Sequence, residues 1–475
     1  MAMTRTFKML IDGKLVDGEG TYGVANPSTG TVFAQAPECS RKQLDQAVAA
    51  ARKAFPAWAA TPVKERQALL AKAAAKVQEN LDALAEVLVK EQGKPIAMAK
   101  GEFMGIIGTL KHLSSANFEY EKVLVDNKKE RVIQRRMPIG VVGGITPWNF
   151  PPLMAGWKFA EALSTGNVCI IKPSPYTPLS TLLLGEVLCD VFPAGVLNIL
   201  SGGDQLGQWL VAHEGVHKIS FTGSTRAGKA IQSASSSTLK RLTLELGGND
   251  AAVVLDDADP KTTAEGLFQF SMGNSGQVCI AIKRAYVHKD IFDQVTGHLA
   301  ELAKNAKVGD GFAKGVQFGP INNRMQFDKV KSLVEDAKKN GAKVLAGGAP
   351  LEGNGYFFPP TILTGVAEGT RIVDEEQFGP VLPVMPYSTI DEVVERANNS
   401  EYGLGASVWS TNLERAQEVA DRLHAGTVWI NKHSELSPNI PFGGCKESGI
   451  GKQMGDFTLE GHTEAKIVRM AKAKL

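Results

Sequence analysis

The sequence predicts an α/β protein built on two parallel sheets, and two features of the chain carry that expectation. Short apolar runs closed by Gly, Pro or Ser, at 141–146, 168–172, 196–200, 218–222 and 242–246, alternate with helical stretches at 153–163, 178–191 and 205–213. Strands separated by crossover helices make a parallel sheet. A second alternating block follows over 251–430, with strands near Ala251, Arg284 and Ser407, and is expected to form a separate α/β domain.

The remaining elements follow in order. Residues 7–35 read as short strands joined by turns, I-D-G-K and N-P-S-T-G among them. Over 41–92 the apolar positions Leu69, Leu70, Ala73, Val77, Leu81, Leu84 and Leu88 recur at helical spacing. A further helix is expected over 96–121. Residues 131–136 mix apolar and charged side chains, which suits an exposed strand or arm, and 464–470 reads as an edge strand. The chain carries no internal repeat and no low-complexity segment.

Composition narrows the function. The 475 residues are 43% hydrophobic and 21% charged, ordinary for a soluble globular enzyme. Lys plus Arg number 52 against 50 Asp plus Glu, so there is no electrostatic footprint for nucleic acid or an anionic membrane. Cys39, Cys169, Cys189, Cys279 and Cys445 are odd in number and include no C-x-x-C pair. That argues for a reducing compartment and against a disulfide framework or a zinc cluster. The apolar piece 9–11 is too short for a signal peptide, and the uncharged run 137–157 holds too many prolines to cross a bilayer. A cytoplasmic location is the expectation.

Three motif matches fail on context. His213-Glu214-Gly215-Val216-His217 spells H-E-x-x-H, but a β-type run begins at Lys218 and leaves no helix through both histidines. The stretch from Gly223 to Lys229 nearly completes a P-loop, yet Ala230 stands where Mg²⁺ needs a hydroxyl. What survives is a glycine-rich strand-to-helix turn suited to a phosphate. Gly18-Glu19-Gly20-Thr21-Tyr22-Gly23 matches G-x-G-x-x-G, but Asn26-Pro27-Ser28 turns again at once where a helix is required.

The chemistry concentrates elsewhere. Leu244–Gly248 reads L-E-L-G-G and Gly276–Cys279 reads G-Q-V-C, which sets one carboxylate and one thiol beside glycines. Glu245 at a strand end and Cys279 in a loop suit a general base and a nucleophile. A lone cysteine is also common as a buried structural residue, so the pair by itself leaves both readings open. In T-P-W-N-F-P, Asn149 is held between prolines and aromatics, fit for an oxyanion donor or for capping the next helix. Lys172 closes a strand at the sheet edge where ligands bind in such folds, or is a solvated loop lysine.

Taken together, T-P-W-N-F-P, K-P-S at Lys172, F-T-G-S-T at Phe221, L-E-L-G-G, G-Q-V-C, E-Q-F-G-P at Glu376 and P-F-G-G-C-K-E-S-G at Pro441 closely resemble the aldehyde dehydrogenase superfamily. The resemblance spans nearly the whole chain in the family's order. It implies a Rossmann-like NAD(P)-binding domain over 1–121 and 139–247, and an α/β catalytic domain over 248–449. It also implies a small β oligomerisation arm from 122–138 and 458–475. Cys279 is implied as the thiolate nucleophile and Glu245 as the base for the deacylating water. Asn149 with the Cys279 N–H would form the oxyanion hole, with Lys158 beside them. Lys172 would face the adenosine ribose, Ser224 and the turn after Phe221 the pyrophosphate, and Glu376 and Phe378 the nicotinamide ribose and ring. Further cofactor contacts would come from Ile145, Thr146, Pro147, Trp148, Ser174, Gly203, Thr222, Gly223, Leu246 and Gly247. No metal is implied.

An aldehyde cannot lose hydride until a nucleophile makes its carbon tetrahedral, and a thiolate does this well at neutral pH. A carboxylate base then favours hydrolysis of the resulting thioester. Transfer of the acyl group to coenzyme A is the alternative. Three departures from the family pattern stand out, one being that Val278 and Ile280 flank Cys279 where polar or thiol residues are usual. Pro175 occupies the place of a Glu that commonly bonds the ribose 2′-OH, which leaves NAD and NADP both open. Gln453 occupies the place of a Glu that serves a proton relay in many members. The acyl tunnel would be lined by Phe150, Met154, Trp157, Val278, Ile280, Leu436 and Phe442, an apolar set with no Arg for a substrate carboxylate. That points to medium-chain aliphatic or aromatic aldehydes. The family pattern further implies a homodimer or homotetramer.

Overall fold

The strand Val141–Ile145 has every residue buried, as do Val168–Lys172 and Lys218–Thr222, because each lies between layers of helices. In the computed structural model, which describes residues 5–472, these strands form the middle of an eight-stranded sheet. Its order is Gly449–Ile450, Arg241–Glu245, Lys218–Thr222, Val141–Ile145, Val168–Lys172, Leu197–Ile199, Met9–Ile11 and Lys14–Val16. The five inner strands are parallel and the outer ones antiparallel.

A second sheet of seven strands has the order Lys343–Ala346, Thr361–Thr364, Val381–Tyr387, Ile282–His288, Asp250–Val254, Gly405–Trp409 and Thr427–Ile430. Successive side chains of Asp250–Val254 enter different cores. Ala251 and Val253 pack with Tyr286 and Val330, whereas Ala252 and Val254 pack with Leu267 and Val295. That alternation is the strand's period of two, filled on both faces.

Two helical expectations need revision. The stretch 41–92 is three helices, Arg41–Ala60, Val63–Glu79 and Leu81–Gln92, because Pro62 and Asn80 stand at the junctions with non-helical backbone. The helix expected over 96–121 ends at Leu113. There the hydroxyls of Ser114 and Ser115 take the Lys111 carbonyl, competing with continued helix. Beyond them Glu121–Asp126 and Glu130–Pro138 form a hairpin whose turn is closed by Asn127 Oδ1, accepting from Lys129 N and Glu130 N. Thr463–Ala471 pairs antiparallel with its second strand and completes a three-stranded sheet. Residues 473–475 of the expected arm, like 1–4 of the first expected domain, lie outside the described residues. Among the described residues no helix is long and apolar enough to cross a membrane.

Candidate active site

The carboxyl ends of the first sheet's parallel strands converge, and most of the singled-out residues sit there. Ile145, Lys172, Thr222 and Glu245 each close a strand. Gly203 follows Leu197–Ile199 and precedes the helix Asp204–Ala212. This is the edge at which ligands reach an open α/β sheet. Asn149 lies in the bend between Val141–Ile145 and the helix Pro151–Ser164, which also carries Lys158.

Cys279 comes from the second sheet, on the loop that leads into Ile282–His288. The approach to it runs through three consecutive left-handed residues, Asn274, Ser275 and Gly276. For non-glycines that conformation costs on the order of 1–3 kcal/mol each, so it needs local bonds. Ser275 Oγ donates to Gly319 O at 2.8 Å, and Asn274 Nδ2 to Asn149 O at 3.1 Å. Gln277 Nε2 donates to Asn274 O at 2.8 Å. A Cβ on Gly276 would overlap the Gly379 carbonyl, so the position requires glycine. Asn149 Nδ2 donates to Gln277 O at 2.9 Å, which ties the loop to the bend and leaves its second N–H for another acceptor.

Burial sets the electrostatics. The Glu245 carboxyl is pushed up to about 8, mainly by desolvation, with Lys158 and Lys452 pulling it down, and neither oxygen has a hydrogen-bond partner. A Cβ on Gly443 would come 2.7 Å from Glu245 Oε1, so the glycine keeps space beside the carboxylate. Burial lowers Lys158 to about 8, and its Nζ donates to Ser220 Oγ at 3.2 Å and Thr222 Oγ1 at 2.9 Å. The Cys279 thiol is pushed up to about 12 by burial, against the opposing pull of Lys283.

Several neighbours carried no signal in the sequence. Lys94 and Glu102 form a fully buried ion pair at 2.5 Å that grips the Asn149 bend from both sides. Lys94 Nζ donates to Asn149 O at 2.9 Å, and Glu102 Oε1 accepts from Leu153 N at 3.2 Å. Gln453 faces Glu161, its Nε2 standing 3.4 Å from Oε2, and burial raises the Glu161 carboxyl. A carboxylate is therefore present beside Gln453, contributed by the helix that carries Lys158. His213 and His217 share no helix, since the one before them ends at Ala212 and His217 Nδ1 accepts from Val141 N.

The dinucleotide expected from the sequence can be tested on this edge. Ser224 caps the helix Thr225–Ser235, and a Cβ on Gly223 would overlap the Phe221 ring, so only glycine lets the turn lie this close. Lys172 is buried, lowered to about 8 by desolvation, and among the described residues its Nζ meets only the adjacent Pro173 carbonyl at 3.2 Å, leaving donors for a ligand. Ser174 is buried beside it, and Pro175 offers no polar side-chain atom. On the other side Glu376 Oε1 accepts from Gly248 N at 3.1 Å, and a Cβ on Gly247, next to Leu246, would come 2.6 Å from Glu376 Oε2. Phe378 adopts a left-handed φ and meets Trp148 edge to face at 5.2 Å, after the buried Thr146 and half-buried Pro147. These residues fit a phosphate-bearing dinucleotide with a ribose at each end.

Around Cys279 the side chains are apolar. Trp157, Val278, Ile280, Leu436 and Phe442 pack with it in one cluster, which also takes in Leu404, Trp429 and Met454. The last three come from separate segments, and nothing in their local sequence marks them. Phe150 and Met154 are half-buried outside the cluster, and the Phe150 ring lies 4.0 Å from Lys94 Nζ.

Comparison with known proteins agrees with this arrangement. The model of the Aldehyde dehydrogenase family matches residues 15–468. Phenylacetaldehyde dehydrogenase of Pseudomonas fluorescens is 38% identical, covering 98% of this chain and 96% of its own. Retinaldehyde dehydrogenase 3 of Homo sapiens is 39% identical, covering 94% of this chain and 89% of its own. The solved NAD+ complex of an aldehyde dehydrogenase from Bacillus cereus superposes with a TM-score of 0.95 at 38% identity, covering 98% of this chain and 97% of its own.

Proposed function

The chain belongs to the aldehyde dehydrogenase family, and from that premise we propose that it oxidises medium-chain aliphatic or aromatic aldehydes to the acids by a hydrolytic route through Cys279. The observation that carries this reading is the bond from Asn149 to the loop of Cys279, whose sulfur packs in an apolar cluster that has no arginine among the described residues, with the buried, unbonded Glu245 held beside Gly443 next to that cluster.

The Cys279 thiolate attacks the aldehyde carbon. The oxyanion that forms is met by the free N–H of Asn149 Nδ2 and by the Cys279 N–H, donors fixed in advance. Lys172, Ser174, Gly203, the Gly223–Ser224 turn, Glu376 and Phe378 would hold NAD or NADP, which when bound supplies the acceptor for hydride. The acyl group remains on Sγ as a thioester. Glu245 takes a proton from water, the water oxygen attacks the thioester carbon, and the acid leaves as the Cys279 sulfur is released. Lys158 steadies the ionised form of Glu245. The three-stranded sheet that carries Thr463–Ala471 would join copies of the chain.

The apolar cluster supports the substrate class, as does the likeness to a phenylacetaldehyde dehydrogenase. A panel of aldehydes crossed with NAD and NADP tests the reading by absorbance of the reduced cofactor. Activity with apolar aldehydes, abolished by Cys279→Ala, is expected. Signal that survives the substitution would overturn the mechanism, and succinate semialdehyde as the best substrate would overturn the substrate class. The same cross decides the cofactor that Pro175 leaves open.

A further inference from the structure

Lys283 stands second in the strand Ile282–His288 and is only 2% exposed, and a lysine buried that deeply needs partners for its charge and its donors. Its side chain folds back over the loop before the strand. Nζ donates to Val278 O at 2.8 Å and to Cys279 O at 2.7 Å. It also stands 3.5 Å from Glu376 Oε1 and 6.0 Å from the centre of the Phe378 ring. One ammonium thus ties the candidate nucleophile's loop to the carboxylate on the cofactor side.

The two carbonyls matter because of where they send the N–H. In a planar trans peptide the carbonyl and the N–H that follows point in opposite directions. The Val278 oxygen is held by Lys283 together with Ala281 N, which donates to it at 3.1 Å, so the Cys279 N–H is turned to the other side, and among the described residues no acceptor takes that N–H. The flanking carbonyls are held too, Gln277 O by Asn149 Nδ2 and Ile280 O by Ser434 Oγ at 2.6 Å. The loop therefore has its oxygens turned onto side-chain donors. The charges around the sulfur point the same way. Glu376, Asp250 and Glu245 oppose the thiolate, and Lys283 favours it.

We propose that Lys283 is a positioning residue for the nucleophile, aiming the Cys279 N–H at the oxyanion and setting an ammonium against the loop that carries the sulfur. The proposal rests on the reading of Cys279 as nucleophile. It differs from the oxyanion hole itself, because Lys283 touches neither substrate nor reacting atoms and acts through the loop.

The test uses the full chain with Lys283→Met, Lys283→Gln and Lys283→Arg. Alkylation of Cys279 by iodoacetamide, followed by mass spectrometry across a pH series, reads the thiolate without aldehyde or cofactor. The Met and Gln variants are expected to shift the alkylation profile to higher pH and to slow it severalfold near neutrality, because a positive charge that favours the thiolate is gone. The Arg variant, which keeps the charge, should restore it. In the dehydrogenase assay kcat should fall roughly tenfold or more while KM for aldehyde stays close to the parent's. A Met variant whose circular dichroism shows it unfolded is replaced by the Gln variant for the same readout. Profiles of the uncharged variants that coincide with the parent's would overturn the proposal. A shifted profile in a chain that oxidises no aldehyde would overturn the function and leave the role of Lys283 at the sulfur standing.

Discussion

Glu245 has to ionise in surroundings that disfavour its charge. Burial holds its carboxyl near 8 against an ordinary 4.5, so the base form becomes dominant only above that pH. Hydrolysis of the acyl enzyme should therefore rise with pH through about 8 and level off beyond it, and Glu245→Gln should slow turnover by roughly 10²–10⁴-fold. Stability moves the other way. Between 4.5 and about 8 the folded carboxyl keeps its proton while the unfolded one has lost it. The contribution of Glu245 is then fully present below the unfolded value and is lost as pH rises toward the folded one. The thermal midpoint of Glu245→Gln should gain on the parent's across that window and hold a constant lead above it. An equal difference at every pH would refute the assignment. Glu245 and Cys279 stood out in the sequence because glycines flank both, although the pair alone left a structural cysteine open and the family resemblance was needed to imply their roles. Lys283 and Glu161 were not, because each matters only through a backbone path or a helix face that brings it to a distant residue.

Among the elements, the strands were the most legible. The run expected at 168–172 is the strand Val168–Lys172, buried along its length, and that at 242–246 is Arg241–Glu245, buried from Thr243 on, because burial between helix layers favours short apolar runs. The helices were read too long, because helical periodicity continues through a break such as Asn80 while the backbone does not. The helix Ile96–Leu113 shows what patterning cannot reveal. It contributes Glu102, whose partner Lys94 lies just before the helix, and the two together hold the bend that carries Asn149. Removing one member of a buried pair strands the other charge, so Lys94→Met should cost about 3–5 kcal/mol in chemical denaturation. Lys94→Met with Glu102→Met should recover part of that loss, because no lone charge remains. A single variant as stable as the parent would show that the pair does not hold the bend.

At the scale of the molecule, the candidate site exists only where the two large sheets meet. Asn149 from the first and Gln277 from the second share a hydrogen bond, and Gly248, in the link that joins the two sheets, donates to Glu376 Oε1. The third sheet stands apart from that chemistry and presents a different problem. Its order is Thr463–Ala471, Glu130–Pro138, Glu121–Asp126, so among the described residues both outer strands have an open edge. Val123, Leu124, Met137, Ile467 and Met470 are each between 44% and 52% exposed on it. A three-stranded sheet that exposes apolar side chains among its charges and has free edges is a pairing surface or an aggregation hazard, and ion pairs such as Arg469 with Glu130 blunt only part of it. Covering by a second copy resolves both problems with a self-complementary contact. Light scattering at micromolar concentration should therefore give the mass of a dimer or tetramer. Leu124→Lys with Ile467→Lys should lower that mass while the cofactor edge, built on the first sheet, keeps its fold. A parent chain that runs as a monomer, or a double variant with unchanged mass, would remove the three-stranded sheet from the interface.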